Sequence, residues 1–226
     1  MARDSMESFI KAWHQNFAKK EHAITYARSR GVSDQQIEQF RVGWSSRLPL
    51  QKDGRVFYVD RENSEQGFII IPMFSFDGRA VGWISRSLTA KEYSKCTVET
   101  PEAVFMGVTP TALQAIWDTR QIYLVEGSFD FFPLQRLYPN TLCLTSANLS
   151  HAQDLFLDRF VNTVFLCLDS DKKGMAAAHY IKGHKSVYKS YIISILPYKD
   201  VNDAWATLGE QRFSKYVTAQ VRCFGT

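Results

Sequence analysis

The sequence predicts an α/β fold in its carboxyl-terminal half and a mixed α+β unit in front of it. From Gln121 onward, short apolar runs alternate with helical segments in the order β-α-β-α-β-α-β, which favours a mostly parallel sheet flanked by helices. Before that point, helical periodicity gives way to short runs rich in valine, isoleucine and aromatic residues, as in an antiparallel sheet. We therefore expect two domains, spanning residues 1–118 and 119–226.

The first domain is predicted to combine helices with a small antiparallel sheet. Its helices would cover 8–20, 22–30 and a segment capped by Ser33, and its strands would cover 55–60, 68–74 and 80–87. Asp77-Gly78 separates the last two strands, and this dipeptide is typical of a tight hairpin. Residues 88–110 show no clear period and are predicted to be irregular, with a turn at 100–102.

The second domain is predicted to contain a parallel sheet with helices between its strands. Its strands would cover 122–125, 141–145, 164–168 and 191–196, and its helices 129–137, 150–160 and 174–182, before a helical segment at the carboxyl end. In such sheets the site lies beyond the carboxyl ends of the strands.

Carboxylates follow three of these strands. Glu126 ends the first strand and Asp130 lies one helical turn later; Asp169 and Asp171 end the third, and Asp200 follows the fourth. Carboxylates that lie close together repel one another unless a cation joins them. Oxygen-only clusters suit Mg²⁺ or Mn²⁺, and a pair of such ions stabilises the attacking and leaving oxygens of phosphoryl transfer. The sequence therefore predicts a metal site for that chemistry.

Composition narrows the remaining classes of function. A net charge of +4 permits nucleic-acid binding without requiring it. The four cysteines form no CxxC pair, which argues against a structural zinc site, and Cys143 and Cys167 lie in apolar runs typical of a core. No secretory signal or membrane-length apolar stretch is present, so we expect a soluble cytoplasmic protein with no membrane partner.

The acidic motifs resemble the TOPRIM signature of bacterial-type primases, topoisomerases and some nucleases. The segments that carry the likeness are VEGSFD at 125–130, LDSDKKGMAA at 168–177 and LPYKDVND at 196–203. They are similar to VEGxxD and DxDxAGxxAA of bacterial and phage primases and to LPxxKDxNE of phage-type primase-helicases. Upstream stretches at 26–33, 40–44, 71–74, 82–86 and 100–102 resemble the amino-terminal part of the primase core in the same order. The resemblance covers roughly residues 20 to 210.

This resemblance implies the catalytic core of a DNA primase. Such an enzyme is a DNA-directed RNA polymerase, a nucleotidyltransferase that makes short RNA primers on single-stranded DNA from ribonucleoside triphosphates. In that family Glu126, Asp169 and Asp171 would bind the catalytic Mg²⁺ or Mn²⁺, with Asp130 and Asp200 close by. Candidates for contact with nucleotide or template are Arg86, Lys91, Lys95, Asn148, Lys172 and Lys173.

The sequence shows no counterpart of the zinc-binding and helicase domains found in that family. The resemblance therefore implies that template selection and helicase coupling come from a separate zinc-binding or helicase subunit. The missing domains also favour a phage, plasmid or other mobile element as the source.

Two other functions stay open. A TOPRIM nuclease of the overcoming-lysogenisation-defect type would share only the TOPRIM part, and Lys173 is the candidate for the extra basic residue that such nucleases use. A non-catalytic primase-like subunit that binds single-stranded DNA or a replication protein is favoured by Met106, which stands where the primase family usually carries a basic residue.

Overall fold

The structure, a computed structural model, describes residues 3–53, 55–62, 66–97, 104–146, 148–183 and 187–224. It forms two compact units, Met1–Thr100 and Pro101–Thr226. The domain bounds predicted from the sequence, with a break after residue 118, stay a prediction. The helices and strands run in the order α1 Arg3–Phe17, α2 Glu21–Ser29, α3 Asp34–Gln39, β1 Gly43–Ser45, β2 Leu48–Lys52, β3 Arg55–Val59, β4 Phe68–Phe74, β5 Ala80–Ser87, β6 Tyr93–Thr97, α4 Pro110–Thr119, β7 Gln121–Val125, α5 Ser128–Leu137, β8 Thr141–Cys143, α6 His151–Phe160, β9 Thr163–Cys167, α7 Lys172–Gly183, β10 Lys189–Ile192 and α8 Val201–Arg222.

The first unit is the α+β unit that the sequence predicts. Strands β1, β4, β5 and β6 pair antiparallel in that order, and β2 and β3 form a separate two-stranded sheet. The apolar stripe of α1 supplies Ile10 and Trp13 to a core that also contains Phe68, Ile70 and Trp83. The hairpin predicted between β4 and β5 is confirmed; it turns at Gly78, whose φ of +80° suits a residue without a Cβ.

The prediction that residues 88–110 are irregular is wrong for Tyr93–Thr97. These residues form β6, which pairs with β5 at the edge of the sheet. Its side chains alternate between exposed and half-buried, so the strand has no apolar run that would mark it in the sequence. The turn predicted at 100–102 lies outside the described residues. Strands β1 and β2 and helix α4 were not predicted either, and β1 is only three residues long.

The second unit is the predicted parallel α/β sheet. Its strands lie in the order β10-β9-β7-β8, and each neighbouring pair is parallel. The central strand β7 is apolar on both faces, as expected where helices cover a sheet on both sides. Strand β10 begins and ends earlier than the predicted 191–196. This arrangement brings the carboxyl ends of four strands to one edge.

The buried position predicted for Cys143 and Cys167 is confirmed. Across the described ranges, no helix combines the length and the apolar composition needed to cross a lipid bilayer.

Candidate metal centre

The parallel register places the predicted acidic residues at one edge of the second unit. Val125 at the end of β7 is in register with Cys167 at the end of β9. Glu126 directly follows the first of these strands, and the loop that holds Asp169 follows the second. Ser170 of that loop donates its backbone N–H to the carbonyl of Lys199 at 2.8 Å, which joins it to the segment before α8. Residues far apart in sequence therefore meet because the strands that carry them are parallel.

Two of the acidic residues also cap helices that begin at this edge. Asp171 Oδ1 accepts the backbone N–H of Gly174 in the first turn of α7 at 2.8 Å. Asp200 Oδ1 accepts the backbone N–H of Asp203 in the first turn of α8 at 2.7 Å. The amino end of a helix carries partial positive charge, which favours carboxylates and bound phosphates.

The Asp169 carboxylate lies where negative charge is unfavourable. Burial raises the pKa of Asp169 to about 6, and repulsion from Glu126, Asp200 and Asp171 adds to the rise, while the Lys199 ammonium opposes it. Each of these groups is close enough for its charge to reach Asp169. The structure therefore brings together four of the acidic residues that the sequence predicts as metal ligands.

Glu126 has a related environment. Burial raises the pKa of its carboxyl, the charge of Lys173 lowers it and that of Asp171 raises it. Its Oε2 atom is enclosed and accepts no hydrogen bond from the residues that the structure describes. A buried carboxylate oxygen without a donor costs free energy, and a cation would remove that cost. The enclosed oxygen and the oxygen-only donor set both fit a hard divalent ion.

The acidic side chains do not form a closed cage. Within the described ranges, no three His, Cys, Asp or Glu side chains lie close enough together to hold one ion. Mg²⁺ does not require such a cage, because it is commonly bound through one or two carboxylates and keeps several of its waters. The side chains form an open, electrostatically coupled set, and the assignment of individual ligands stays a prediction.

Two glycines allow the close approaches that shape this edge. A Cβ on Gly127 would lie 2.2 Å from Oδ2 of Asp130, and a Cβ on Gly174 would lie 2.3 Å from the carbonyl oxygen of Asp169. Both contacts are far shorter than real Cβ contacts. Glycine at 127 therefore leaves room for the Asp130 carboxylate of α5, and glycine at 174 lets α7 start directly against the loop that carries Asp169.

Asp130 lies inside the fold and links α5 to α8. It is 7 % exposed, and its Oδ1 accepts the backbone N–H of Asn202 at 2.8 Å. Pro133 within α5 has no N–H to donate to the carbonyl of Phe129. The side-chain amide of Asn202 donates to that carbonyl instead, at 3.0 Å. These two bonds hold the start of α5, and with it the turn after Glu126, against the start of α8.

The candidate nucleotide contacts of the second unit are exposed. Lys172 and Lys173 lie in the first turn of α7, next to the acidic set, and Asn148 lies in the loop before α6. The charge of Lys173 acts on a predicted ligand, Glu126.

The candidate contacts of the first unit lie on or beside its antiparallel sheet. Arg86 of β5 is opposite Tyr93 of β6, and Lys95 of β6 is opposite Ile84 of β5. Paired residues project to the same side of a sheet, and so do residues two apart on one strand. Arg86 therefore shares a face with Tyr93, and hence with Lys95. Lys91 is exposed in the connection between these strands.

One basic residue at the acidic set was missed by sequence reasoning. Lys199 Nζ lies 3.2 Å from Asp200 Oδ2, and its charge acts on Asp169 and Asp130 as well. The hydrogen bond from Lys199 to Asp200 is the largest cause of a raised pKa of the Lys199 ammonium, and the charges of Asp200 and Asp169 raise it further. The residue lies within the segment 196–203 that carries part of the resemblance, and this was the available signal.

Met106 occupies a position that cannot present a charge to solvent. Its side chain is 1 % exposed, and its backbone pairs with Cys143 of β8 through an antiparallel bridge. A basic side chain here would be buried against the sheet.

Comparison with known proteins agrees with this fold. Residues 123–205 match the family described as Toprim-like. An uncharacterised protein of Mycoplasma genitalium, MG010, is 26% identical over 217 residues, covering 92% of this chain and 90% of that protein. The DNA primase of Thermotoga maritima is 24% identical over 244 residues, covering 92% of this chain and 41% of that protein. The chain thus spans less than half of that primase.

Solved structures extend the likeness to nearly the whole chain. The zinc-binding and RNA polymerase domains of the Aquifex aeolicus primase superpose with a TM-score of 0.76 and 17% identity, over 97% of this chain and 62% of that one. A DnaG primase catalytic domain bound to single-stranded DNA gives a TM-score of 0.73 and 18% identity, over 96% of this chain and 80% of that one. The chain contains a Toprim-like domain. Taken as a whole, it has the fold of a DnaG-type primase catalytic core.

Proposed function

We propose that this chain is the catalytic core of a DNA primase, which makes short RNA primers on single-stranded DNA by metal-dependent nucleotidyl transfer. The observation that carries the proposal is the set of coupled carboxylates at the strand ends of a fold that matches primase cores over nearly the whole chain. The fold alone would not carry it, because one fold hosts many functions. The acidic set supplies the chemistry that this function needs.

The proposed roles of the residues follow from their positions. Glu126, Asp169 and Asp171 are the proposed ligands of Mg²⁺ or Mn²⁺, with one or two carboxylates on an ion and water completing its shell, and Asp200 contributes from the start of α8. When bound, such an ion neutralises phosphate charge and polarises the phosphorus centre. Positive charge where a triphosphate would lie comes from two lysines, Lys172 and Lys173, and from the amino ends of α7 and α8. Asp130 acts through position, since its carboxylate is engaged by Asn202.

The proposed template contacts lie on the first unit. Arg86, Lys91 and Lys95 are cations on or beside one sheet, and backbone phosphates are the groups that such cations bind in nucleic acids. The likeness to a primase domain solved with single-stranded DNA supports a template of that kind.

Primer synthesis tests the proposal. Wild type is incubated with single-stranded DNA, labelled ribonucleoside triphosphates and Mg²⁺ or Mn²⁺, beside a variant that combines Asp169→Asn with Asp171→Asn. Asparagine keeps the cap at α7, so the variant tests charge rather than folding. We expect short labelled products from wild type. The yield of primer in the variant should fall on the order of 10²-fold or more, as it does when metal or transition-state stabilisation is removed.

Other outcomes favour the remaining functions. Cleavage of the template by wild type would favour a nuclease. Binding of metal and DNA without any product would favour a non-catalytic subunit, for which the enclosed Met106 is the supporting observation.

A further inference from the structure

The backbone of Lys199 is fixed between the two acidic segments. Its N–H donates to Asp203 Oδ2 at 3.1 Å, and its carbonyl accepts the N–H of Ser170 at 2.8 Å. Ser170 stands between Asp169 and Asp171, and Asp203 lies in the first turn of α8. The carbonyl of Lys199 therefore joins the third strand-end loop to the fourth, and its N–H is held by the first turn of α8. Together the two bonds set the position of its Cα beside the acidic set.

The side chain of Lys199 is not fixed in the same way. Its ammonium pairs with Asp200 Oδ2 at 3.2 Å, but the side chain is 71% exposed while that of Asp200 is 15% exposed. An ion pair with one partner in solvent contributes little free energy. Lysine also carries its three donors on a flexible four-carbon stem. The ammonium can therefore leave Asp200 for a stronger acceptor nearby at small cost.

Asp200 itself is divided between two roles. Its Oδ1 caps α8 through the N–H of Asp203, so Oδ2 is the oxygen that Lys199 covers. Departure of the ammonium would leave the cap in place and expose only Oδ2. The exchange is thus local and does not require α8 to move.

We propose that Lys199 is the phosphate-binding lysine of this site, whose ammonium pairs with Asp200 in the free protein and moves to a phosphate oxygen of an incoming nucleoside triphosphate. A phosphate group carries more negative charge than one carboxylate, and a lysine ammonium binds it as a point charge. The phosphate is therefore a stronger partner for Lys199 than Asp200 is. The inference rests on the proposed function only for the identity of the ligand as a nucleoside triphosphate. Lys199 makes no covalent contribution; it holds the substrate.

Binding measurements on the intact chain test this role. The variants are Lys199→Ala and Lys199→Arg, with Lys182→Ala as the matched control, because Lys182 is an exposed lysine in the last turn of α7. Mn²⁺ alone is titrated by electron paramagnetic resonance of the free ion. ATP with saturating Mg²⁺ is titrated by calorimetry, and a single-stranded oligonucleotide by fluorescence anisotropy.

We expect Lys199→Ala to weaken nucleotide binding without weakening the binding of Mn²⁺ or of the oligonucleotide. Lys199→Ala raises the Kd for ATP about tenfold, the equivalent of one charge-assisted hydrogen bond. Its Mn²⁺ affinity is unchanged or tighter, since a competing cation has left Asp200, and its oligonucleotide affinity is unchanged. Lys199→Arg recovers part of the ATP affinity, and Lys182→Ala matches wild type in all three titrations.

Three results would overturn the inference: an unchanged Kd for ATP, a loss of Mn²⁺ affinity in parallel with ATP affinity, or a selective loss of oligonucleotide binding. The second would mean that Lys199 merely holds the acidic loops together, and the third that the phosphate belongs to DNA. Failure of the primase proposal looks different. In that case wild type would bind ATP through Lys199 and yet make no primer.

Discussion

Asp169 is a carboxylate that the fold holds at a cost in stability. Burial raises its pKa from 3.8 to about 6, with Glu126 and Asp200 adding repulsion. A carboxyl whose folded-state pKa lies above its ordinary value binds its proton more tightly in the folded state. The folded state therefore loses stability as the pH rises from about 4 to about 6, and the loss is complete above that window. Residues kept at such a cost are expected at functional sites.

Replacement of Asp169 by asparagine should therefore stabilise the metal-free protein. In EDTA at pH 7 we expect Asp169→Asn to raise the free energy of unfolding by about 1 kcal/mol, after discounting for partial exposure, with no difference from wild type near pH 4. Thermal unfolding followed by circular dichroism between pH 4 and pH 8 measures this. The control is Asp118→Asn at an exposed position of α4. Parallel curves of Tm against pH for wild type and Asp169→Asn would contradict the account.

Among single residues, the placement of the acidic ones at one sheet edge could be predicted from strand order, and the contacts of Lys199 could not. Glu126, Asp169 and Asp171 follow apolar strands in a pattern that a parallel sheet brings to one edge, so their meeting follows from strand order. Lys199 precedes an aspartate in a loop, where a lysine is most often a solvated surface residue. Its importance depends on the bond between Ser170 and its own carbonyl, and no spacing in the sequence specifies that bond.

At the scale of elements, helix α7 begins under tight constraint. Asp171 caps it, and Gly174 lies so close to the Asp169 carbonyl that a Cβ would be 2.3 Å away. At the other end of the same helix, a Cβ on Gly183 would meet nothing within 4 Å. An added Cβ should therefore disturb the structure at Gly174 but not at Gly183, which makes Gly183 a matched control in the same helix.

Gly174→Ala should displace the start of α7 and the acidic loop before it. We expect it to lower the free energy of unfolding by about 1–3 kcal/mol, the usual cost of overpacking, and to weaken Mn²⁺ binding. Gly183→Ala should leave Mn²⁺ binding unchanged and stability equal or slightly higher, because alanine favours a helix. Urea unfolding and Mn²⁺ titration measure both variants. Equal effects of the two substitutions would show that the close approach at Gly174 does not matter.

The success of element prediction depended on the kind of element. The buried strands β7 and β9 stand out because both of their faces are apolar and polar residues end them. Strand β6 forms at a sheet edge through backbone pairing, with side chains that remain partly in water, so its residues carry little information about it. Helix α5 was predicted despite Pro133, and the replacement of the lost backbone bond by Asn202 could not be foreseen.

For the molecule as a whole, the order of the strands and the carboxylates at their ends both indicate a metal site at one edge of the parallel sheet. The alternation of strands and helices predicts the parallel sheet, and the sheet order β10-β9-β7-β8 places the strands that precede Glu126 and Asp169 side by side. The central claim is that the carboxylates at this edge bind a divalent metal. That claim is narrower than primase activity, and the proposed primase activity depends on it.

A titration of Mn²⁺ into the metal-free protein tests the claim most directly. Wild type is compared with the variant that combines Asp169→Asn and Asp171→Asn, with Asp118→Asn as the control, and circular dichroism verifies that each is folded. We expect saturable binding by wild type and the control, and an affinity at least tenfold lower in the double variant, a loss of about 1.4 kcal/mol or more. Equal Mn²⁺ affinity in all three proteins would contradict the account and place the metal elsewhere.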